Sequence, residues 1–334
     1  MKQNLYSARW AVRVASAALA LALGCTEDGT APDAGALGGE LRLYYLDLVG
    51  GVRTARADGS EAHLLIAGEG VGPDGVDVDV VRGHVYWTNM GAVSADDGTI
   101  MRADLDGTNV VTVVPVGHTF TPKQLKLDLQ NDKLYWSDRE GMRVMRANLD
   151  GSEIETLVVT GEGDADRVEQ RRWCVGIALD VARGQLYFTQ KGGDNAGEGT
   201  IKRMPLELAA ATDPAQRDDV ETLFSDLPEP IDLDLDLETR TLYWTDRGDN
   251  TVSRAPLDAT GFDPKARTDR EVLVEGLGEA IGLSLDLENQ RMYYTSLSTG
   301  VVGSAALDGS GATDLISGQG VLTGIVAVAV PNSP

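Results

Sequence analysis

Two cysteines in 334 residues are too few for a disulfide scaffold, so the fold must rest on non-covalent packing. Basic residues are scarce too. Lys and Arg total 29 against 52 Asp and Glu, a formal net charge of −23. A nucleic-acid binder needs a basic face, which argues against nucleic acid as a partner. Acidity of this order keeps a chain soluble and repels anionic surfaces. The three histidines, His63, His84 and His118, show no metal-ligand spacing with one another. There is no G-x-S-x-G elbow and no Asp-rich twelve-residue calcium loop. Hydrophobic content of 42% is ordinary, which excludes a multi-span membrane protein and a disordered chain.

The apolar run Val14 to Leu23 is ten residues long, half of the roughly 20 that span a bilayer. It follows Lys2, Arg9 and Arg13 with no acid between them, the pattern of an export signal. The run ends Ala22-Leu23-Gly24-Cys25, which resembles a bacterial lipobox and marks Cys25 as the residue to be lipidated. An ordinary signal peptide with Cys25 left as a free thiol is the alternative. Residues 1–24 are read as the signal and 25–39 as a flexible Gly- and Pro-containing tether. The mature chain would carry 26 basic and 52 acidic residues, or −26. The expected location is the bacterial cell envelope, as an outer-membrane lipoprotein on its periplasmic or surface side, or otherwise secreted. Membrane contact would then be through the lipid anchor alone.

Residues 40–330 form an internal repeat, followed by a short tail at 331–334. The clusters begin at Tyr44, Tyr86, Tyr135, Tyr187, Tyr243 and Tyr293 and read Tyr-Trp-Thr-Asp or a near variant. Their spacing of 42 to 56 residues points to propeller blades. Asp79, Asp128, Asp180, Asp236 and Asp286 each stand seven residues before a Tyr, at the end of an apolar run. An Arg follows five of the clusters, and Asp-Gly turns at Asp58, Asp106, Asp150 and Asp308 each mark a tight hairpin. One period therefore holds four strands. The expected fold is all-β: a six-bladed β-propeller of four-stranded antiparallel blades. The first cluster lacks an upstream apolar strand, while Thr323 to Val330 is an apolar strand without a cluster. The C-terminal strand is therefore expected to complete the N-terminal blade and close the ring.

Arg146-Ala147-Asn148-Leu149-Asp150-Gly151 and Arg102-Ala103-Asp104-Leu105-Asp106-Gly107, with the six clusters, resemble the YWTD, or low-density-lipoprotein-receptor class B, repeat. That resemblance implies an extracellular six-bladed propeller that binds other proteins. No Cys-rich flanking modules are present, so it does not imply receptor architecture.

Residues repeated in every blade serve the blade, so positions that differ are the informative ones. Blades two and four carry longer loops, Met90 to Gly98 and Lys191 to Gly199, and Gly161 to Trp173 is a further irregular segment. All three fall on one face of the propeller. Candidate contacts on that face are Phe120, Arg139, Arg171, Arg172, Trp173, Glu229, Arg247 and Glu279. A Trp beside two Arg has the composition of an interface hot spot. The expected activity is a non-catalytic, monomeric binding module for an extracytoplasmic protein or a glycan. The alternative is a metal-dependent hydrolase of the gluconolactonase-like six-bladed type. Asp77, Asp232 and Asp234 in the inner strands are the only candidates for holding a divalent cation in the axial channel. A water-filled channel with ordinary hydrogen bonding is the competing reading. Cys174 begins an inner strand in apolar surroundings and reads as a buried thiol.

Overall fold

The computed structural model describes residues 39–68 and 70–331, in which six four-stranded antiparallel sheets stand around a central axis. The leader, Cys25 and the rest of the tether to residue 38 lie outside the described residues, as do 332–334. Blade 1 is ordered Leu322–Val330, Glu40–Asp47, Gly51–Arg56, His63–Ala67, so the last strand of the chain is the inner strand of the first blade. Its pairing runs from Glu40 opposite Val330 to Asp47 opposite Leu322, which is the closure expected from the two unpaired ends of the repeat. The inner strands of blades 2 to 6 are Pro73–Asp79, Pro122–Asp128, Cys174–Asp180, Pro230–Asp236 and Ala280–Asp286. Among the described residues no helix is long and apolar enough to cross a membrane.

Adjacent Tyr and Trp are explained by strand alternation, since successive side chains point to opposite faces of a sheet. Tyr86 packs into the core shared with blade 3, and Trp87 into the core shared with blade 1. The same division holds for Tyr135 and Trp136, and for Tyr243 and Trp244. Six such cores, one between each pair of neighbouring blades, replace a single central core. The three cluster Trp side chains are at most 1% exposed.

The third residue of the cluster ties the ring together. In blade 4 the Thr189 hydroxyl accepts from Gly176 N at 2.7 Å and donates to Ile231 O of blade 5 at 2.8 Å. Thr88 does the same from blade 2 to Lys123 O, Thr245 from blade 5 to Ile281 O, and Thr295 from blade 6 to Thr323 O. Ser137 donates from blade 3 to Gly176 O. Blade 1 has Leu46 here, and Thr323 on its inner strand donates to Pro73 O instead. Every blade thus donates one side-chain hydroxyl to the next inner strand. The hydroxyl sits inside a bulge where the inner strand loses register, between Cys174 and Ile177 in blade 4. In blade 4 the place requires glycine, because a Cβ on Gly176 would come within 2.2 Å of Ile231 O, whereas blades 3 and 5 carry Gln124 and Asp232 at the same position.

The five Asp residues at inner-strand ends are buried turn caps. Asp79 Oδ1 accepts from Val81 N and Arg82 N, and Asp236 Oδ1 from Glu238 N and Thr239 N. Blade 1 has Val328 at this position, opposite Arg42, and its inner strand continues past it to pair Val330 with Glu40. Each Asp-Gly turn packs on the outer strand of the preceding blade: a Cβ on Gly151, at φ +84°, would meet Val113 O at 1.9 Å. Blades 4 and 5 have no such turn. Arg217 and Arg267 take over the contact, donating to Leu157 O at 3.0 Å and Leu223 O at 3.5 Å of the preceding blade.

Candidate functional site

The face reached by the cluster ends carries the mouth of the axial channel. A cavity of about 170 Å³ opens there. Its rim is one side chain per blade, the residue that follows each cluster: Leu48, Met90, Arg139, Lys191, Arg247 and Leu297. Below them lies the start of each inner strand, among which Val175, Ile231 and Ile281 form an apolar patch. The rim is therefore divided. Blades 3 to 5 contribute three cations, and blades 6, 1 and 2 contribute three apolar side chains.

The cations are each held by an acid of the chain. Glu229, only 2% exposed, accepts from Lys191 at 2.7 Å and from Arg247 at 3.1 Å. Arg247 also reaches Glu279 at 2.5 Å, and Arg139 is forked onto Glu140 at 2.7 and 2.6 Å. Lys123 is paired with Asp74, and burial holds its ammonium below the usual lysine range. Such pairs fix side-chain positions more than they add stability, because both partners lose water.

Of the eight residues expected to make the contacts, the structure brings five to the mouth: Arg139, Trp173, Glu229, Arg247 and Glu279. Trp173 stands between cations, with Arg139 at 5.0 Å and Lys191 at 5.6 Å from its ring, and its indole N–H donates to Arg167 O at 2.8 Å. Phe120 is buried, with Arg167 stacked 4.2 Å above its ring. Arg171 and Arg172 are separated from Trp173. They sit on a short 3-10 turn, Gln170–Arg172, and line a cleft on the side of the propeller between blades 3 and 4. The sequence reading placed the loops that begin at Met90 and Lys191 on this face without singling out either residue, and it missed Leu48 and Leu297, although their common place after the cluster was available as a signal. It singled out none of five exposed valines on connections of this same face, Val49, Val71, Val93, Val116 and Val168, although Val93 and Val168 lie within the irregular segments it assigned there. Val93 at 91% and Val49 at 85% are the most open.

Deeper in the channel, Asp77, Asp232 and Asp234 act as clamps between inner strands. Asp232 accepts from Leu233 N at 2.9 Å and from Leu283 N of blade 6 at 3.0 Å, and Asp234 from Leu235 N and Leu285 N. Asp77 bridges Val78 N and Leu127 N of blade 3. The positive charge these three carboxylates face is Lys126, whose ammonium they hold above its ordinary range against the effect of burial. Among the described residues no group of three or more His, Cys, Asp or Glu is arranged to hold a metal ion. Burial pushes the Cys174 thiol up to about 12, so it stays protonated and unreactive at neutral pH.

No protein-family model matches the chain. It is 43% identical over 222 residues to low-density lipoprotein receptor-related protein 1 of Pyricularia oryzae, covering 62% of this chain and 71% of that protein. It is 37% identical over 196 residues to 3-hydroxyacyl-CoA dehydrogenase-like protein LAM1 of Cochliobolus heterostrophus, covering 57% of this chain and 41% of that protein. The chain thus spans less than half of the second relative. Among solved structures, a chain of a nidogen/laminin complex superposes with a TM-score of 0.67 at 23% identity, over 88% of this chain and 100% of that one. Regucalcin of Agrobacterium tumefaciens, a calcium-binding protein, gives 0.55 at 17% identity, over 78% and 79%. At these identities the two structures are similar in fold alone.

The buried Asp232 generates a pH test. Burial, opposed by Lys126, pushes its carboxyl up to about 7, against about 3.9 for an unfolded aspartate. The folded state therefore holds this proton more tightly than the unfolded state. That contribution is fully present below about pH 4 and is lost as pH rises through 7, by at most about 4 kcal/mol. Asp232→Asn cannot lose the proton. Its Tm relative to the parent should climb between pH 5 and pH 8 in thermal melts, and a difference independent of pH would contradict the assignment.

Proposed function

The chain belongs to the YWTD-propeller family represented by low-density lipoprotein receptor-related protein 1 of Pyricularia oryzae, and on that premise we propose that it is a non-catalytic binding module taking a protein partner on the channel-mouth face. The observation that carries this reading is the divided rim, with the exposed valines on the loops around it. Apolar side chains open to water beside ordered Arg, Lys and Trp have the composition of an interface core with a polar margin. The three rim cations are already held by ion pairs, which lowers the ordering cost on binding. The gluconolactonase-like alternative needs convergent metal ligands at the mouth. Here Asp74, Glu229 and Glu279 are each engaged with a cation of the chain itself. A glycan partner is disfavoured by the valines, which offer no hydrogen bonds to hydroxyls.

The place of action in this proposal is the cell envelope, with the domain exported and tethered by lipid on Cys25. The support is the leader sequence itself, a basic start, a short apolar run and a cysteine at its end. Intact-mass measurement of the mature chain should show a diacylglyceryl-modified N-terminal Cys25, and an unmodified chain cut elsewhere would refute the anchor.

Val93→Asp tests the face, because an exposed valine can be replaced without disturbing the core. Cross-linking and pull-down from the native envelope should lose the captured partner by about tenfold or more with Val93→Asp combined with Leu48→Asp. Val81→Asp, at a 78% exposed valine on the opposite face, should leave capture unchanged. Equal capture by all three proteins, or loss with Val81→Asp alone, would place binding elsewhere.

A further inference from the structure

Blade 4 departs from the repeat at three positions that meet in one place. Phe188 stands where blades 2, 3 and 5 carry Trp87, Trp136 and Trp244. Gln190 stands where blades 1, 3 and 5 carry Asp47, Asp138 and Asp246. Lys202 lies directly opposite Phe188, where Met101 and Met145 face the tryptophans of blades 2 and 3. The smaller ring leaves room, and these residues with Arg171 and Arg172 line a cleft of about 520 Å³ between blades 3 and 4.

The charges in this cleft do not balance internally. Arg217 at its edge is met by Asp219. Arg171 and Arg172 share Glu169 at 2.8 and 2.9 Å, and Asp166 lies 3.3 Å from Arg172. Lys202 is half-buried, and among the described residues no carboxylate lies within 4 Å of it. Burial holds its ammonium below the usual lysine range, with only the Cys174 thiol acting against that. Gln190 is 6% exposed, and its side-chain amide has no hydrogen-bond partner among the described residues. The Gln190 amide and the Lys202 ammonium both open into the cleft with no partner among the described residues, so water is what they give up when a ligand from outside completes them.

Blade 1 shows how the same two positions are ordinarily filled. Arg53, opposite Tyr45, pairs there with Asp47 at 3.4 Å. Blade 4 keeps the cation and replaces the acid with a neutral amide. We propose that this side cleft binds a carboxylate from outside, such as the side chain of an acidic residue in a partner polypeptide, at the place that Asp47 fills in blade 1. The carboxylate oxygens accept from Lys202 Nζ and from the Gln190 amide, both in charge-assisted geometry. Arg171, 60% exposed at the rim, guides approach. One unmatched positive charge fits a monoanion better than a phosphate dianion. The cleft lies on the flank of the propeller, apart from the channel mouth.

The test is an NMR titration of the full domain, reading the Lys202 side-chain resonances and their titration with pH. The probes are the N-acetyl, C-amide derivative of aspartate, the same derivative of asparagine, and inorganic phosphate. The aspartate derivative should shift Lys202 saturably with a millimolar Kd and raise its pKa, while the asparagine derivative leaves both unchanged. Lys202→Gln removes no contact within the domain, so it should fold normally and weaken binding at least about tenfold. Gln190→Asp supplies the acid internally and should abolish binding while raising Tm. The proposal is overturned by the absence of a saturable shift, by binding that survives Gln190→Asp or Lys202→Gln, or by tighter binding of phosphate.

Discussion

One side-chain hydroxyl per blade, donated to a carbonyl of the neighbouring inner strand, is the interaction on which the rest of this structure depends. Aromatic burial between blades is larger in energy but non-directional, and two greasy sheets could slide or splay at little cost. The Thr189 bond to Ile231 O fixes the rotation of one blade on the next and the height of both along the axis. It also explains the bulge of the inner strands, because a hydroxyl enters the ladder there, and the glycine of blade 4, where a Cβ on Gly176 would collide with the next blade. Leu46 breaks the pattern in blade 1, and Thr323 supplies the missing hydroxyl from the inner strand. The closing blade is clasped to its neighbours like the other five.

The functional face follows from that constraint. The residue after each hydroxyl-bearing cluster is carried to the channel mouth in every blade, whatever its chemistry. Framework and site are therefore adjacent in sequence but separately variable. Leu48, Met90 and Leu297 can be apolar, and Arg139, Lys191 and Arg247 cationic, without change to the sheet beneath. The same reasoning applies on the flank. Phe188, Gln190 and Lys202 change what blade 4 presents while Thr189, between them in the strand, keeps its bond.

The ring was legible in the sequence because its rules are local: a period, an alternation of Tyr and Trp, an Asp before a turn, an Asp-Gly hairpin. The closure was legible because each end lacked what the other had. The hydroxyl role was only half visible. Thr or Ser recurs in the cluster, but its acceptor in blade 4 lies 42 residues away on another sheet. The takeover of the Asp-Gly contact by Arg217 and Arg267 was hidden for the same reason. Candidate residues fared less evenly. Arg139, Trp173, Glu229, Arg247 and Glu279 do converge, but Arg171 and Arg172, carried on a 3-10 turn, line the flank cleft instead. Asp77, Asp232 and Asp234 gave no hint that their oxygens serve backbone amides of adjacent blades and face a lysine.

Hydrogen exchange under native conditions tests the clasp most directly. The amides of Gly75, Gly176, Asp232 and Gly282 donate to the hydroxyls, and those of the closing strand Leu322–Val330 pair with the first. If the hydroxyl ring couples all six blades, these amides should share one opening free energy, equal to that of global unfolding. Faster exchange confined to blade 1 and the closing strand, or a different opening energy in each blade, would show that the blades open separately and would contradict the account.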